Sequence, residues 1–257
     1  MTLVEGGEAL ALWLQRLMLR SPLSQQDQDI VRSFPGVIRK VDGTRDIVRL
    51  GERTSHVSLV VDGVVARFGQ TADGNRQFTA FFIRGDMADL HAAVMPVVSS
   101  PLQSTCPTVL FQIDRQVIRT AAAQSPSLAK AFWCDCVTES QIGAEWLVSI
   151  GRGSALSRIA HLLCEFACRY GVMSGERDRF PLLLTQAHIG DAVGLTAVHV
   201  NRTIRALRES GSVIAEAGQV TIRDWDLLRR QGGFDPGYLH LNDTDPRAGL
   251  HVELELQ

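Results

Sequence analysis

Leu184–Leu207 reads LTQAHIGDAVGLTAVHVNRTIRAL. The spacing predicts two short helices joined by a tight turn. The first covers Gln186–Val193, with Ile189 and Val193 four apart on one face. Gly194 can take the left-handed backbone that ends many helices. Leu195 can plug the space between the two helices. Thr196 can cap the second, its hydroxyl accepting from a free first-turn amide. On that second helix Val200, Ile204 and Leu207 recur at four and three residues, which makes an inward face. Val198, Asn201, Arg202 and Arg205 share the opposite face, and no acid lies between Thr196 and Arg208.

An exposed helix face of this kind can reach base edges in a major groove, where Arg to guanine is the commonest specific pair. Two helices and a Gly turn could equally be a hairpin with a solvated Arg face. The residues after the second helix favour DNA contact. Gly211 ends that helix. Val213–Ala215 and Gln219–Ile222 are short β-like runs around Glu216-Ala217-Gly218, a two-stranded wing. Asp224 can cap a last helix, Trp225–Arg230.

These residues, with the upstream RGSALSRIAHLLCE (Arg152–Glu165), resemble the Crp/Fnr transcription regulators. The upstream run matches the family's Arg-x-x-Ala-x-x-Arg-(Ile/Val)-Ala-x-Leu-Leu helix. The resemblance is specific in the C-terminal part and looser in the N-terminal half. It implies an α+β fold: an N-terminal β-roll (a jelly roll like the cyclic-nucleotide-binding domains), a long dimerisation helix and a C-terminal winged helix-turn-helix. The expected division is a sensory β-roll over 1–124, a dimerisation helix over 125–150, a Crp-type DNA-binding domain over 151–231, and a tail over 232–257 that reads either as flexible or, from its alternating Val252, Leu254 and Leu256, as an added strand. The expected function is a sequence-specific dimeric regulator. The competing reading is a ligand sensor that acts through protein contacts, with DNA binding incidental.

Composition sets further bounds. A chain of 257 residues has room for two domains. The net charge of −2 excludes a generally basic nucleic-acid binder but leaves local readout open. No run of eighteen apolar residues suggests a membrane span. The start, MTLVEGGEALALWLQ, has an early acid and no basic segment, so a signal peptide is not expected and a cytoplasmic location is. The five Cys are expected to be free thiols, mostly buried. No Gly-rich phosphate loop, nucleophile elbow or metal spacing occurs, so no enzyme is expected.

Along the chain, Leu10, Leu14, Leu17 and Met18 predict a helix, and Ile30, Val31 and Phe34 another. From Val37 to about Ile113 the pattern is short strands and turns. Val57, Leu59 and Val61 alternate, Asp62-Gly63 is a hairpin signal, and Asp73-Gly74-Asn75 and Gly85-Asp86 are further breaks. Ser125–Ile150 reads as one helix, with Trp133, Cys136, Ser140, Gly143, Leu147 and Ile150 in a stripe suited to a parallel dimer. Phe132 and Trp146 are expected to face the barrel. Gly151-Arg152-Gly153 is a candidate hinge. Ser154–Tyr170 is a further helix, Met173–Arg179 a surface loop, Phe180–Leu184 a short strand. His161 is expected to be structural.

The resemblance places DNA contacts on Ala197, Val198, Asn201 and Arg202, with His199 and Arg205 flanking, Thr196 at the helix start, and Gln186 on phosphate. Family members often carry Glu, which accepts from cytosine, where this chain has Val198; Val could meet a thymine methyl. The expected partners are a palindromic duplex, a second copy of the chain and RNA polymerase. In the β-roll the candidate effector residues are Gly85, Asp86, Asp89 and His91. Asp89 and His91 read either as functional or as solvated loop residues. The cAMP-binding members use a Gly-Glu pair and a later Arg on the cyclic phosphate; no Arg occurs here between Arg84 and Arg115. Cyclic AMP is therefore not expected. The resemblance also implies no iron–sulfur cluster, because the family's iron–sulfur branch carries clustered Cys near the N-terminus and no Cys here precedes Cys106. The effector is left open.

Overall fold

A computed structural model of the chain describes residues 2–175, 178–216 and 218–241, with residues 2–5 and 172–174 as backbone only. Two helices open the chain, α1 (Thr2–Arg20) and α2 (Gln25–Arg32). Seven strands follow: β1 (Val37–Val41), β2 (Asp46–Val48), β3 (His56–Asp62), β4 (Val64–Gln70), β5 (Arg76–Ile83), β6 (Leu102–Ser104) and β7 (Thr108–Asp114). A 3-10 turn, Leu90–Ala93, lies between β5 and β6. Then come α3 (Arg115–Gln124), α4 (Pro126–Arg152) and α5 (Ala155–Ser174). The C-terminal part holds β8 (Arg179–Pro181), α6 (Gln186–Val193), α7 (Ala197–Glu209), β9 (Val213–Glu216), β10 (Gln219–Ile222) and α8 (Trp225–Gly232).

The first seven strands form two antiparallel sheets, β1-β7-β3 and β2-β6-β4-β5. They enclose an apolar interior that includes Val60, Val65, Phe82, Leu102 and Leu110. Strand β3 is buried on both faces, because Val57 and Leu59 point to the helices while Val60 points into the roll. This corrects one expectation. Asp62-Gly63 does not close a hairpin: β3 pairs with β7, and β4 pairs with β5 and β6. Gly63, at φ +87°, carries the chain from one sheet to the other. A Cβ there would lie 2.7 Å from the Pro107 carbonyl oxygen, so only Gly fits. The Asp73-Gly74-Asn75 turn does join β4 to β5 as a hairpin.

Helix α1 buries Leu10, Trp13, Leu14 and Leu17, whereas Met18, placed on the same stripe by its spacing, is exposed. The Trp13 ring stacks on Phe132 of α4 with centroids 5.4 Å apart. Ser125 caps α4 through the Leu128 amide, and Pro126 takes the first turn, where its missing N–H costs nothing. Phe132 and Trp146 face inward as expected. Trp133, Val137, Leu147 and Val148 face outward and are more than half exposed. They leave an apolar stripe along α4.

Three boundaries differ from expectation. Gly151 and Arg152 continue α4, and the break falls at Gly153, the extended cap before α5. Helix α5 runs on to Ser174, where Gly175 at φ +72° stops it, so the expected loop from Met173 is shorter. Beyond Gly232 the chain is folded as far as it is described: Phe234 and Leu239 are buried in the core that contains α5. Val252, Leu254 and Leu256 lie outside the described residues. Among the described residues no helix is long and apolar enough to cross a membrane.

Candidate nucleic-acid interface

Helices α6 and α7 meet at a turn whose geometry follows from four residues. Thr185 caps α6 by accepting from the His188 amide at 3.1 Å, and Nδ1 of His188 accepts from the Thr185 amide at 3.4 Å. Burial, with Arg76 nearby, lowers the His188 pKa, which keeps that nitrogen free to accept. Gly194 is left-handed at φ +68°. Thr196 caps α7 by accepting from the His199 amide at 3.3 Å. Gly190 carries no sequence signal of its own, yet it is what lets the turn close. A Cβ at Gly190 would collide with the Leu195 carbonyl oxygen. Ile189, Val193, Val200 and Leu207 fill the space between the helices and α5.

The outer face of α7 presents Ala197, Val198, Asn201, Arg202 and Arg205, all exposed; His199 is half-buried. Val198 is 68% exposed. The three Arg residues differ. Arg205 pairs with Glu209 at 2.8 Å, and Arg208 reaches Glu216 of the wing at 3.5 Å. Arg202 makes no ion pair among the described residues. Gln186 and Thr196 are exposed at the starts of α6 and α7. Behind this face, β9 and β10 form the wing, and β8 extends it to a three-stranded sheet in the order β8-β10-β9.

The back of α6 docks on the roll. Nε and Nη2 of Arg76 in β5 donate to Oδ2 of Asp191 at 2.9 and 2.6 Å, and Gln77 donates to the Ala192 carbonyl at 2.8 Å. Sequence periodicity carries no signal for these pairs, since 115 positions separate them. A buried charge network lies next to them. Arg169 of α5 donates to Asp86 at 2.7 Å and to the Phe81 carbonyl at 2.6 Å, and Arg16 of α1 pairs with Asp86 at 3.1 Å.

The four effector candidates are therefore not equivalent. Gly85 makes the turn after β5 at φ +84°. Asp86 is held between two guanidinium groups: burial pushes its carboxyl up, but Arg16 and Arg169 outweigh this and keep it below the usual range. Asp89 is not a solvated loop residue, being only 3% exposed. Its Oδ1 accepts from the Ser58 amide at 2.7 Å, and its Oδ2 is buried without a hydrogen-bond partner. Burial raises its pKa to about 7. His91 is half-buried, and burial with Arg67 nearby lowers its pKa to about 4. The gap between the roll and α4 is lined by residues including Arg20, Phe82, Asp135 and Glu139 and has a volume of about 30 Å³, roughly one water. Its charged walls are paired, Arg20 with Asp135 and Glu139 with Arg67. Among the described residues no group of three or more His, Cys, Asp or Glu could hold a metal ion. Cys164 and Cys168 are buried, and burial raises the Cys164 pKa well above the ordinary thiol range.

A roll, a long helix with an open apolar stripe and a winged helix-turn-helix with a basic outer face together define a DNA-binding regulator. Comparison with known proteins agrees. Residues 157–231 match the Crp-like helix-turn-helix domain. The nitrogen fixation regulation protein FixK of Azorhizobium caulinodans is 32% identical over 177 residues, 68% of this chain and 71% of that protein. The fumarate and nitrate reduction regulatory protein of Shigella dysenteriae is 20% identical over 211 residues, 82% of each. The structure of FixK2 from Bradyrhizobium japonicum superposes with a TM-score of 0.70 at 24% identity, covering 77% of this chain and 97% of that one. The chain belongs to the Crp/Fnr family of transcription regulators. Members of this family bind DNA and act as dimers.

Proposed function

We propose that two copies of the chain pair along the outward stripe of α4 and lay their α7 helices into successive major grooves of a palindromic promoter site. In this reading residues 1–124 form the sensory roll, 125–150 the dimerisation helix and 151–231 the reader. The observation that carries it is the α7 face: Val198, Asn201 and Arg202 are exposed together, with no acid before Glu209. Arg202 donates to a guanine, Asn201 and Val198 contact neighbouring bases, and Val198 covers a thymine methyl. Ala197 and Thr196 approach the same edges, while Gln186, His199 and Arg205 hold phosphates. The protein works in the cytoplasm and contacts RNA polymerase once bound.

The roll does not take cyclic AMP in this reading. Its interior is filled by apolar side chains, and the gap beside α4 is far smaller than a nucleotide. Selection of bound duplexes from a random pool tests the proposal. The expected product is a two-fold symmetric site with one guanine per half-site that depends on Arg202. Recovery of sequences without symmetry, or none above background, would reject it.

A further inference from the structure

Residues beyond the wing fold back rather than trail away. Asp235 accepts from the Gly237 amide at 2.9 Å and starts a 3-10 turn over Pro236–Leu239. That turn packs between α5 and α4: Phe234 and Leu239 are buried, and His240 hydrogen-bonds Gln141 of α4. At its centre the Tyr238 hydroxyl donates to Oε2 of Glu165 at 3.0 Å. The His161 ring lies parallel to Tyr238, with Nε2 3.0 Å from the same hydroxyl.

Glu165 joins the three parts of the molecule. It is fully buried on α5. Its Oε2 also accepts from Nε1 of Trp146 on α4 at 2.8 Å. Its Oε1 accepts from Arg169 at 2.8 Å, and Arg169 in turn donates to Asp86 of the roll. One carboxylate thus holds the dimerisation helix, the C-terminal turn and, through Arg169, the sensory roll. Buried charges of this kind add little net stability, because removing them from water offsets most of their attraction. Apolar side chains would fill the same space without directional bonds. What the directional bonds supply is one fixed arrangement of the parts they join.

We propose that Glu165 and Tyr238 are positioning residues that fix the angle of the reader on the dimerisation helix, and so set the spacing between half-sites that the dimer accepts. The reader is joined to α4 covalently only through the extended residues at Gly153 and Ser154. A small rotation there moves both α7 helices, and one base pair of spacing is about 3.4 Å along the duplex. Two-fold binding makes half-site spacing a direct report of that geometry. The inference rests on the two-fold reading proposed above.

The test uses the full-length protein and a set of palindromic duplexes whose half-sites are at the preferred spacing or one base pair closer or farther. Tyr238→Phe keeps the ring packed on His161 and removes only the hydroxyl. Its thermal unfolding should stay within a few degrees of wild type. Its preference for the best spacing over its neighbours should fall at least threefold. Glu165→Gln should shift the same ratio further; if it fails to fold, Tyr238→Phe still decides. A Tyr238→Phe protein with the wild-type spacing ratio overturns the assignment, even if its overall affinity has changed. Wild type that binds without any spacing optimum would instead overturn the two-fold reading, and this assignment with it.

Discussion

Replacing Asp89 with asparagine should change how stability depends on pH. The carboxyl sits under the roll with one hydrogen bond, from the Ser58 amide to Oδ1, and a second oxygen with none. Arg67 is near enough to favour the ionised form, but its guanidinium is engaged by Glu139 and the Ala88 carbonyl. Burial dominates, and the group keeps its proton up to about pH 7, against 3.8 for an ordinary Asp. Below pH 4 both folded and unfolded chains hold the proton and no penalty exists. Between 4 and 7 only the folded chain holds it, so stability is lost as pH rises. The loss is about 4 kcal/mol at most by pH 7. In Asp89→Asn the new side chain would keep the Ser58 bond through its carbonyl oxygen. Its amide would occupy the place of the unpartnered oxygen, a cost of about 1–3 kcal/mol that the equally unpartnered hydroxyl of protonated Asp89 shares. The two proteins should therefore be of similar stability at pH 4.5, and wild type the less stable at pH 8.5. Urea unfolding followed by circular dichroism, at one fixed protein concentration because dimerisation adds to stability, reads the difference. Other titrating groups, His91 included, are common to both proteins and largely cancel. Parallel pH profiles for the two proteins would refute the argument that Asp89 is buried and protonated.

The other predictions concern the dimer, the turn and the DNA face. Leu147→Asp puts a charge in the α4 stripe beside Val148, and should give a monomer in sedimentation and at least a hundredfold weaker binding to a palindromic duplex; a stable dimer would move the interface elsewhere. Gly190→Ala drives a methyl against the Leu195 carbonyl and should cost the reader more than about 3 kcal/mol. Gly194→Ala, four residues on, meets only ordinary van der Waals neighbours at φ +68° and should cost only about 1–2 kcal/mol; equal thermal shifts for the two would contradict the geometry of the turn. Glu209→Gln releases Arg205 from its surface pair and should tighten binding to all sequences alike, with a steeper salt dependence; a gain confined to one site would show that Arg205 reads a base.

The reader is legible in the sequence because each local signal agrees with the next. The apolar period of α7, the Thr196 cap and the left-handed Gly194 all specify the same turn, and the wing strands begin and end within a residue of their turn residues. The roll is legible as strands but not as pairings. Asp62-Gly63 looks like a hairpin because the period of two says nothing about which sheet a strand joins. Helix α3 escapes a reading by periodicity, since only Ile118 and Ala121 are buried and the rest of Arg115–Gln124 carries no clear stripe. The C-terminal turn reads as flexible because Gly, Pro and Asp dominate it, although Phe234 and Leu239 anchor it. The charge network lies beyond local patterns: Asp86 and Arg169 are 83 positions apart. One signal is present. Glu165 interrupts the apolar run of α5 four residues before Arg169, an acid that burial must either exclude or pair.

The most direct measurement is the affinity of wild type and Arg202→Ala for the selected palindrome and for versions changed at each base pair in turn. Fluorescence anisotropy at one stated salt concentration suffices. Arg202→Ala should lose about 1–3 kcal/mol on the selected site and become indifferent to one base pair in each half-site, while keeping its preferences at the others. A variant that binds as tightly and as selectively as wild type, or weakens equally on every sequence, would contradict the claim that α7 reads DNA through this arginine.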